Sequence, residues 1–187
     1  MKTRYCIILG KNFEEVEAIT LIDLLRRAGV IVDIYGIGSN NITGSHNITV
    51  AAEKIFSGKK DIDIDEYSGI LLPGGPGTRD LINNLDLLLL IKEFNIKKKL
   101  IFAICAAPLI LDKCGVLNGK KFTCYPGAVN EIKTGKYVNE KVVVDGNIVT
   151  SQGVGTALES ALKLIEIIVS KNEAVIQSEK VVYKETI

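Results

Sequence analysis

Short apolar runs at Tyr5 to Leu9, Val30 to Ile37, Ile70 to Leu72 and Leu100 to Ile104 have the length and branched-residue content of strands buried on both faces. Between the first two lies Glu14 to Arg27, a helical pattern with an apolar stripe read at Val16, Ile19, Ile22 and Leu25 and a stop at Gly29. Between the last two comes "PGGPGT" and then the helical "LDLLLLIKEFNIKK". Strands joined through helices are parallel neighbours linked by right-handed crossovers. The chain is thereby confined to an α/β fold with a mostly parallel central sheet.

The remaining segments fit that frame. A polar turn, "GSNNITGSHN", leads to a short strand at Ile48 to Ala52 and a charged loop around "GKKDIDIDEYSG". A short strand near Phe122 and a looped "YPGAVNE" precede a hairpin, signalled by Asp145-Gly146 between "KVVV" and "NIVTS". The loop "SQGVGT" opens a long helix, Ala157 to Val169, and Glu173 to Ile187 reads as a short tail without a covering helix. With no repeat, low-complexity stretch or linker, residues 1–187 make one domain.

Charge and cysteine usage exclude several classes of function. Twenty-three Lys and Arg against 22 Asp and Glu leave a formal charge of +1, so no global field recruits nucleic acid or an anionic membrane. Small neutral or weakly charged ligands fit better. The apolar run near the N-terminus is too short for a signal peptide, and no stretch reaches the ~20 residues of a membrane span, so a cytoplasmic protein is expected. Four cysteines without a C-x-x-C pair, and a single histidine, predict no metal site and reduced thiols, with Cys6 a packing residue. "PGGPGT" lacks the Lys-Ser/Thr ending of a phosphate-binding loop, and no cofactor is expected.

Ligands of open parallel sheets bind beyond the carboxyl ends of the strands. Four segments lie at such ends: "GKNFEEVE", "PGGPGT", Cys105 and "SQGVGT". In "LIFAICAAPLILDKCG" a strand runs into a helix with no Gly, Pro or Asn between, which forces Cys105 into a tight corner flanked by the small Ala103 and Ala107. A thiol there faces free N–H groups and the positive end of a helix, both of which favour thiolate. The "GGPG" loop and the Ala106 N–H would hold a developing oxyanion. On the residues alone the alternative stands: a cysteine in an apolar run is also a packing residue, and Glu14, Glu15 and Glu17 read as a solvated first helical turn.

"EEVEA", "LLRRAG", "LLPGG", "AICAAP" and "TSQGVGTALE", in order over nearly the whole chain, resemble the DJ-1/ThiJ/PfpI superfamily, in its DJ-1 (ThiJ) branch. The resemblance implies a flavodoxin-like three-layer sandwich of the class I glutamine amidotransferase type and a homodimer. It implies a nucleophile at Cys105, a helix-one carboxyl at Glu17 that contacts the sulfur, and Gly74 and Gly75 amides close by. A carboxyl beside a thiolate titrates with it as a pair, the acid keeping its proton to donate to sulfur. Three departures are visible. Tyr125 stands where many members carry histidine, which speaks against a Cys-His protease or amidase. Val154 replaces a frequent proline. His46 falls where an arginine is often presented across the dimer; with Arg27 it is a candidate for an anion-accepting mouth, the plain alternative being a surface-loop histidine.

Taken with the resemblance, these residues predict a cysteine-dependent, cofactor-independent glyoxalase or deglycase acting on methylglyoxal, glyoxal or their adducts. The expected partners are a small aldehyde or glycated substrate and a second copy of the chain, with no nucleic acid and no membrane. The alternative is a redox sensor or stress-response chaperone in which Cys105 is oxidised to sulfinic acid. A PfpI-type protease ranks lower, and a thiazole-phosphate kinase, suggested by the ThiJ label, has no nucleotide motif here.

Overall fold

The computed structural model describes residues 3–184. In chain order, β1 (Arg4–Leu9), α1 (Glu15–Arg27) and β2 (Ile31–Ile37) form the first crossover unit. Then come β3 (Asn41–Thr43), β4 (Thr49–Ala51), β5 (Lys54–Phe56), two 3-10 turns and β6 (Gly69–Leu72). These lead into α2 (Thr78–Leu81), α3 (Leu85–Ile96), β7 (Leu100–Ile104) and α4 (Pro108–Lys113). The last third holds β8 (Lys121–Phe122), a 3-10 turn over Pro126–Glu131, β9 (Lys136–Tyr137), β10 (Val142–Asp145), β11 (Ile148–Ser151), α5 (Ala157–Ile168) and α6 (Lys171–Lys180).

Seven strands form the central sheet in the order β10-β11-β7-β6-β1-β2-β5, all parallel except the β10–β11 hairpin. Alternation along each strand feeds a core on either face. Cys6, Ile8, Ile101 and Ala103 pack with Leu90, Ile91 and Phe94 of α3 on one side. Tyr5, Ile7, Leu9, Phe102 and Ile104 pack with Leu21, Leu25, Leu164 and Ile165 of α1 and α5 on the other. The predicted α/β class, the parallel strands and the hairpin are all present.

Chain order reverses at β1, with β2 and β5 on one side and β6, β7 and β11 on the other. Leu72 pairs with Ala103 and Ile104 with Ser151, so three strands end side by side. The loops after β1, β6, β7 and β11 therefore open onto one crevice.

Three sequence expectations are corrected and one unforeseen strand is added. The strand predicted at Ile48 to Ala52 is only Thr49–Ala51, and it pairs with β3 in a separate hairpin outside the central sheet. The sheet edge is β5, three residues too short to show a period and fixed by pairing Tyr35–Ile37 with Lys54–Phe56. On α1 the predicted Ile22 and Leu25 are buried, but they share the buried face with Glu17, Ala18, Leu21 and Leu24, while Val16 and Ile19 are 49% and 44% exposed. The tail is helical through α6, capped by Ser170, whose Oγ accepts the Glu173 N–H at 3.1 Å. Gln177 on α6 is buried and donates to the Arg27 carbonyl at 3.3 Å, which ties α6 to the end of α1. Residues 185–187 of that tail lie outside the described part.

Candidate active site

Cys105 has φ 63°, a left-handed conformation that costs a side-chain-bearing residue about 1–2 kcal/mol. Hydrogen bonds on both sides hold it there: its N–H donates to the Ser151 carbonyl at 3.0 Å, and its carbonyl accepts the Tyr125 N–H at 2.8 Å. The helix after it begins only at Pro108, in the favoured first position, and is six residues long. The thiol thus stands on a turn, and the amides around it matter more than a helix dipole. Gly74 makes the close packing possible, since a Cβ there would lie 2.6 Å from Cys105 Cβ and 2.9 Å from the Ala106 nitrogen.

Glu17 is fully buried in the first turn of α1. Its Oε2 accepts the Gly74 N–H at 2.8 Å. Oε1 has no hydrogen-bonding partner among the described residues, and the group it faces is the Cys105 thiol. A methyl group added at Gly153 would sit 3.8 Å from both Oε1 and Cys105 Sγ. The amides are shared out differently from the expectation: Gly75 and Ala106 direct N–H groups at the sulfur, whereas Gly74 holds the carboxyl. Gly75, at φ 100°, occupies a cradle in which a Cβ would lie 2.6 Å from the Asn12 carbonyl and the Glu14 nitrogen.

Burial pushes the Glu17 carboxyl up to about 7, against the Gly74 hydrogen bond and the contact with Cys105. Burial also pushes the Cys105 thiol up to about 12, reinforced by the Glu17 charge and opposed by the Gly75 and Ala106 amides. This reverses the depressed acidity expected of the corner by itself, because burial disfavours any charge on the sulfur and, after it, a carboxylate one contact away repels a second negative charge. The two groups share one site. When one carries the negative charge, the other keeps its proton.

The neighbouring acids are not the solvated turn they resembled. Glu15 is buried, accepting the His46 N–H at 2.7 Å with Oε1 while Oε2 lies 3.0 Å from His46 Nδ1 and 3.1 Å from Ser45 Oγ. Burial alone would raise its pKa, but the hydrogen bonds from His46, its own N–H and Ser45 bring it down to about 2. The β3–β4 hairpin is thereby pinned to the start of α1. Glu14 N–H donates to the Gly74 carbonyl at 2.9 Å, and its side chain borders Cys105.

Two clefts meet at Cys105, Glu14 and Tyr125. One, of about 370 Å³, runs past Leu109 to an Arg79–Glu131 pair joined by bonds of 2.8 and 2.7 Å. The other, of about 440 Å³, runs past Gln152 and Gly153. Roomier hollows of about 530 and 670 Å³ lie at α5–α6 and beside α3, but neither is lined by cysteine. Cys105, Glu17, Gly74, Gly75, Ala106 and Tyr125 therefore come together, while within one chain two other candidates, expected to act across a dimer, stand apart from them. His46 is exposed and spent on Glu15. Arg27 is ten residues along α1 from Glu17, ~15 Å away by helical rise, and pairs with Asp23 at 2.7 Å.

Sequence reading missed Glu14, Leu109 and the Arg79–Glu131 pair. A signal existed for the first, since Glu14, Glu17, Leu21 and Leu24 share one helical face by their spacing. The others depend on how distant turns meet.

The pattern that describes the DJ-1/PfpI family matches residues 3–167. The chain is 36% identical to protein dj-1beta of Drosophila melanogaster over 171 residues, which are 89% of this chain and 90% of that protein. Superposed on the crystal structure of Drosophila melanogaster DJ-1beta it gives a TM-score of 0.93 at 31% identity, covering 98% of this chain and 100% of the other. With the oxidized DJ-1 of Toxoplasma gondii the TM-score is 0.90 at 32% identity, over 97% and 98% of the two chains.

Proposed function

The chain belongs to the DJ-1/PfpI family, and from that premise we propose that it is a cysteine-dependent enzyme converting 2-oxoaldehydes, or their early adducts, to 2-hydroxy acids. The observation that carries the reading is the unpartnered, buried Glu17 Oε1 facing a half-buried Cys105 sulfur. A carboxyl so placed is a proton carrier for whatever bonds to that sulfur.

With methylglyoxal, Cys105 Sγ bonds to the aldehyde carbon, and the thiol's proton ends on the former carbonyl oxygen as a hemithioacetal forms. The Gly75 and Ala106 N–H groups are donors for the oxygen while it is negative. Glu17, as carboxylate, removes the proton of that carbon, giving an enediolate whose remaining hydroxyl proton passes to the second oxygen, and returns its own proton to the adjacent carbon. A thioester results, and water hydrolyses it to lactate and the free thiol. The sum is one aldehyde and one water per lactate, with no electron acceptor needed. The test follows lactate formation from methylglyoxal by purified protein in amine-free buffer. Many turnovers per thiol are expected, and loss that stops near one equivalent sinks the reading.

A second reading draws on the same thiol. Two equivalents of a peroxide would take it to sulfinic acid, whose oxygens the Gly75 and Ala106 amides and a protonated Glu17 are placed to bond. The oxidized state of the Toxoplasma gondii structure belongs to that protein, and supports asking the question here. Stoichiometric oxidation without turnover is its signature.

A symmetric dimer is also part of the proposal. Val16 and Ile19 of α1, Ile48 beside its N-terminus, and Val154 and Leu158 at the start of the adjoining α5 are all exposed apolar side chains. Such a face is what a self-complementary contact covers. Wild type is expected to sediment at twice the 20.3 kDa of the chain, and Ile19→Glu at the single-chain mass. A wild-type monomer at micromolar concentration ends this part of the reading.

A further inference from the structure

The larger question at Cys105 is what the rest of the substrate looks like. We propose that the site takes 2-oxoaldehydes bearing an apolar alkyl or aryl arm on the oxo carbon, the arm seated between Leu109 and the Tyr125 ring. This rests on the aldehyde reading above for the chemistry, and on the cleft alone for the arm.

The cleft on the Leu109 side has about 370 Å³, inside the ~300–1,000 Å³ of ordinary small-molecule sites, and a methyl group would leave most of it to water. Its walls beside the sulfur are Pro76, Ala106, Leu109, Ala128 and the ring of Tyr125. Tyr125 is 54% exposed, yet its backbone N–H is bonded to the Cys105 carbonyl, so its Cα is held at a fixed offset from the nucleophile, and its ring lies against Gly127, where a Cβ would come within 2.8 Å of it. An aromatic side chain and a leucine lining the same cleft offer a slot for a flat or branched apolar group.

Charge narrows the class further. Arg79 is the sole cation lining this cleft among the described residues, and both of its terminal nitrogens are bonded to Glu131. Glu14 adds a carboxylate beside the sulfur. An anionic arm would meet no free partner and a like charge. The second cleft runs past Gln152, Gly153, Val154 and Thr156 and offers no cation either; it is left for water or the hydroxyl formed in the reaction.

The experiment compares kcat/KM for phenylglyoxal and methylglyoxal, each normalised to the rate at which that aldehyde adds to a simple free thiol. In parallel, Cys105 alkylation by N-phenylmaleimide and N-methylmaleimide is followed by mass spectrometry with the same normalisation, which requires no turnover. Wild type should favour the aryl reagent at least about tenfold in both series. Leu109→Ala and Tyr125→Ala should each erase most of that preference. Since Tyr125 is on the surface, its variant keeps the test meaningful even where the Leu109 change unsettles folding. No normalised aryl preference in wild type, or a preference untouched in both variants, overturns the proposal. An aryl preference in alkylation without turnover of either aldehyde leaves the arm site standing and removes the aldehyde reading.

Discussion

Glu17→Gln should lower the turnover of methylglyoxal to lactate by about 10²- to 10⁴-fold, while Cys105 in the same variant still reacts one-for-one with iodoacetamide. The amide nearly matches the carboxyl in shape, and its oxygen can still accept the Gly74 N–H that Oε2 accepts now. What it cannot do is take hydrogen from the carbon bonded to sulfur and give it back. Addition survives and the internal proton transfer fails, so the hemithioacetal forms and reverses. Glu17→Asp keeps the acid but withdraws it from the sulfur by one methylene, and should fall between the two. Cys105→Ala removes the bond-forming atom and should leave no turnover above buffer. Glu17→Gln turnover within about threefold of wild type would show that some other group moves the proton, and the assignment of Glu17 would be lost.

The parts of this site legible in the sequence were those fixed by local chain geometry. Cys105 stood out because a strand ran into a helix around it, and the structure places it at φ 63°. Gly74 and Gly75 are legible as N–H donors of the "GGPG" loop after a buried strand, with the resemblance putting them near the sulfur, and Gly74 does pack against the cysteine. The parallel sheet was legible because strands covered on both faces are apolar throughout, whatever their partners. What failed depended on contacts between distant segments. Val16 and Ile19 are apolar and fit the helical period, so the sequence predicts them in the core of α1. The sheet in fact covers the face carrying Glu17, Leu21 and Leu24, and a buried carboxyl at the head of that face is invisible to a hydrophobic pattern. Glu15 is ordinary for a first helical turn, and only the hairpin 31 residues later, with the Ser45 and His46 donors, makes it a buried clasp. The cap of α6 is legible as Ser170 followed three residues on by Glu173, but the helix behind it has few apolar residues and so carries no helical period.

Glu17→Gln should also raise stability, and by an amount that grows with pH. In the folded chain the carboxyl is pushed up to about 7 by burial, from an ordinary value of 4.5. Between those two values the folded state holds a proton that the unfolded state releases, so each step up in pH favours unfolding. The contribution of the protonated carboxyl is fully present below about 4.5, is lost as pH rises through about 7, and is flat above. The full span corresponds to roughly 3 kcal/mol at 1.36 kcal/mol for each pH unit. Glutamine cannot ionise and escapes the loss. At pH 8 the variant should melt roughly 6–12 °C above wild type for a domain of this size, and at pH 4.5 the two should melt within a few degrees of each other. The same substitution is therefore expected to stabilise the fold while it stops the reaction, as when an active site retains a costly buried acid for its chemistry. A melting difference that is the same at both pH values, or that shrinks as pH rises, would mean that the carboxyl is already ionised across the whole range. It could not then be the protonated partner of Cys105.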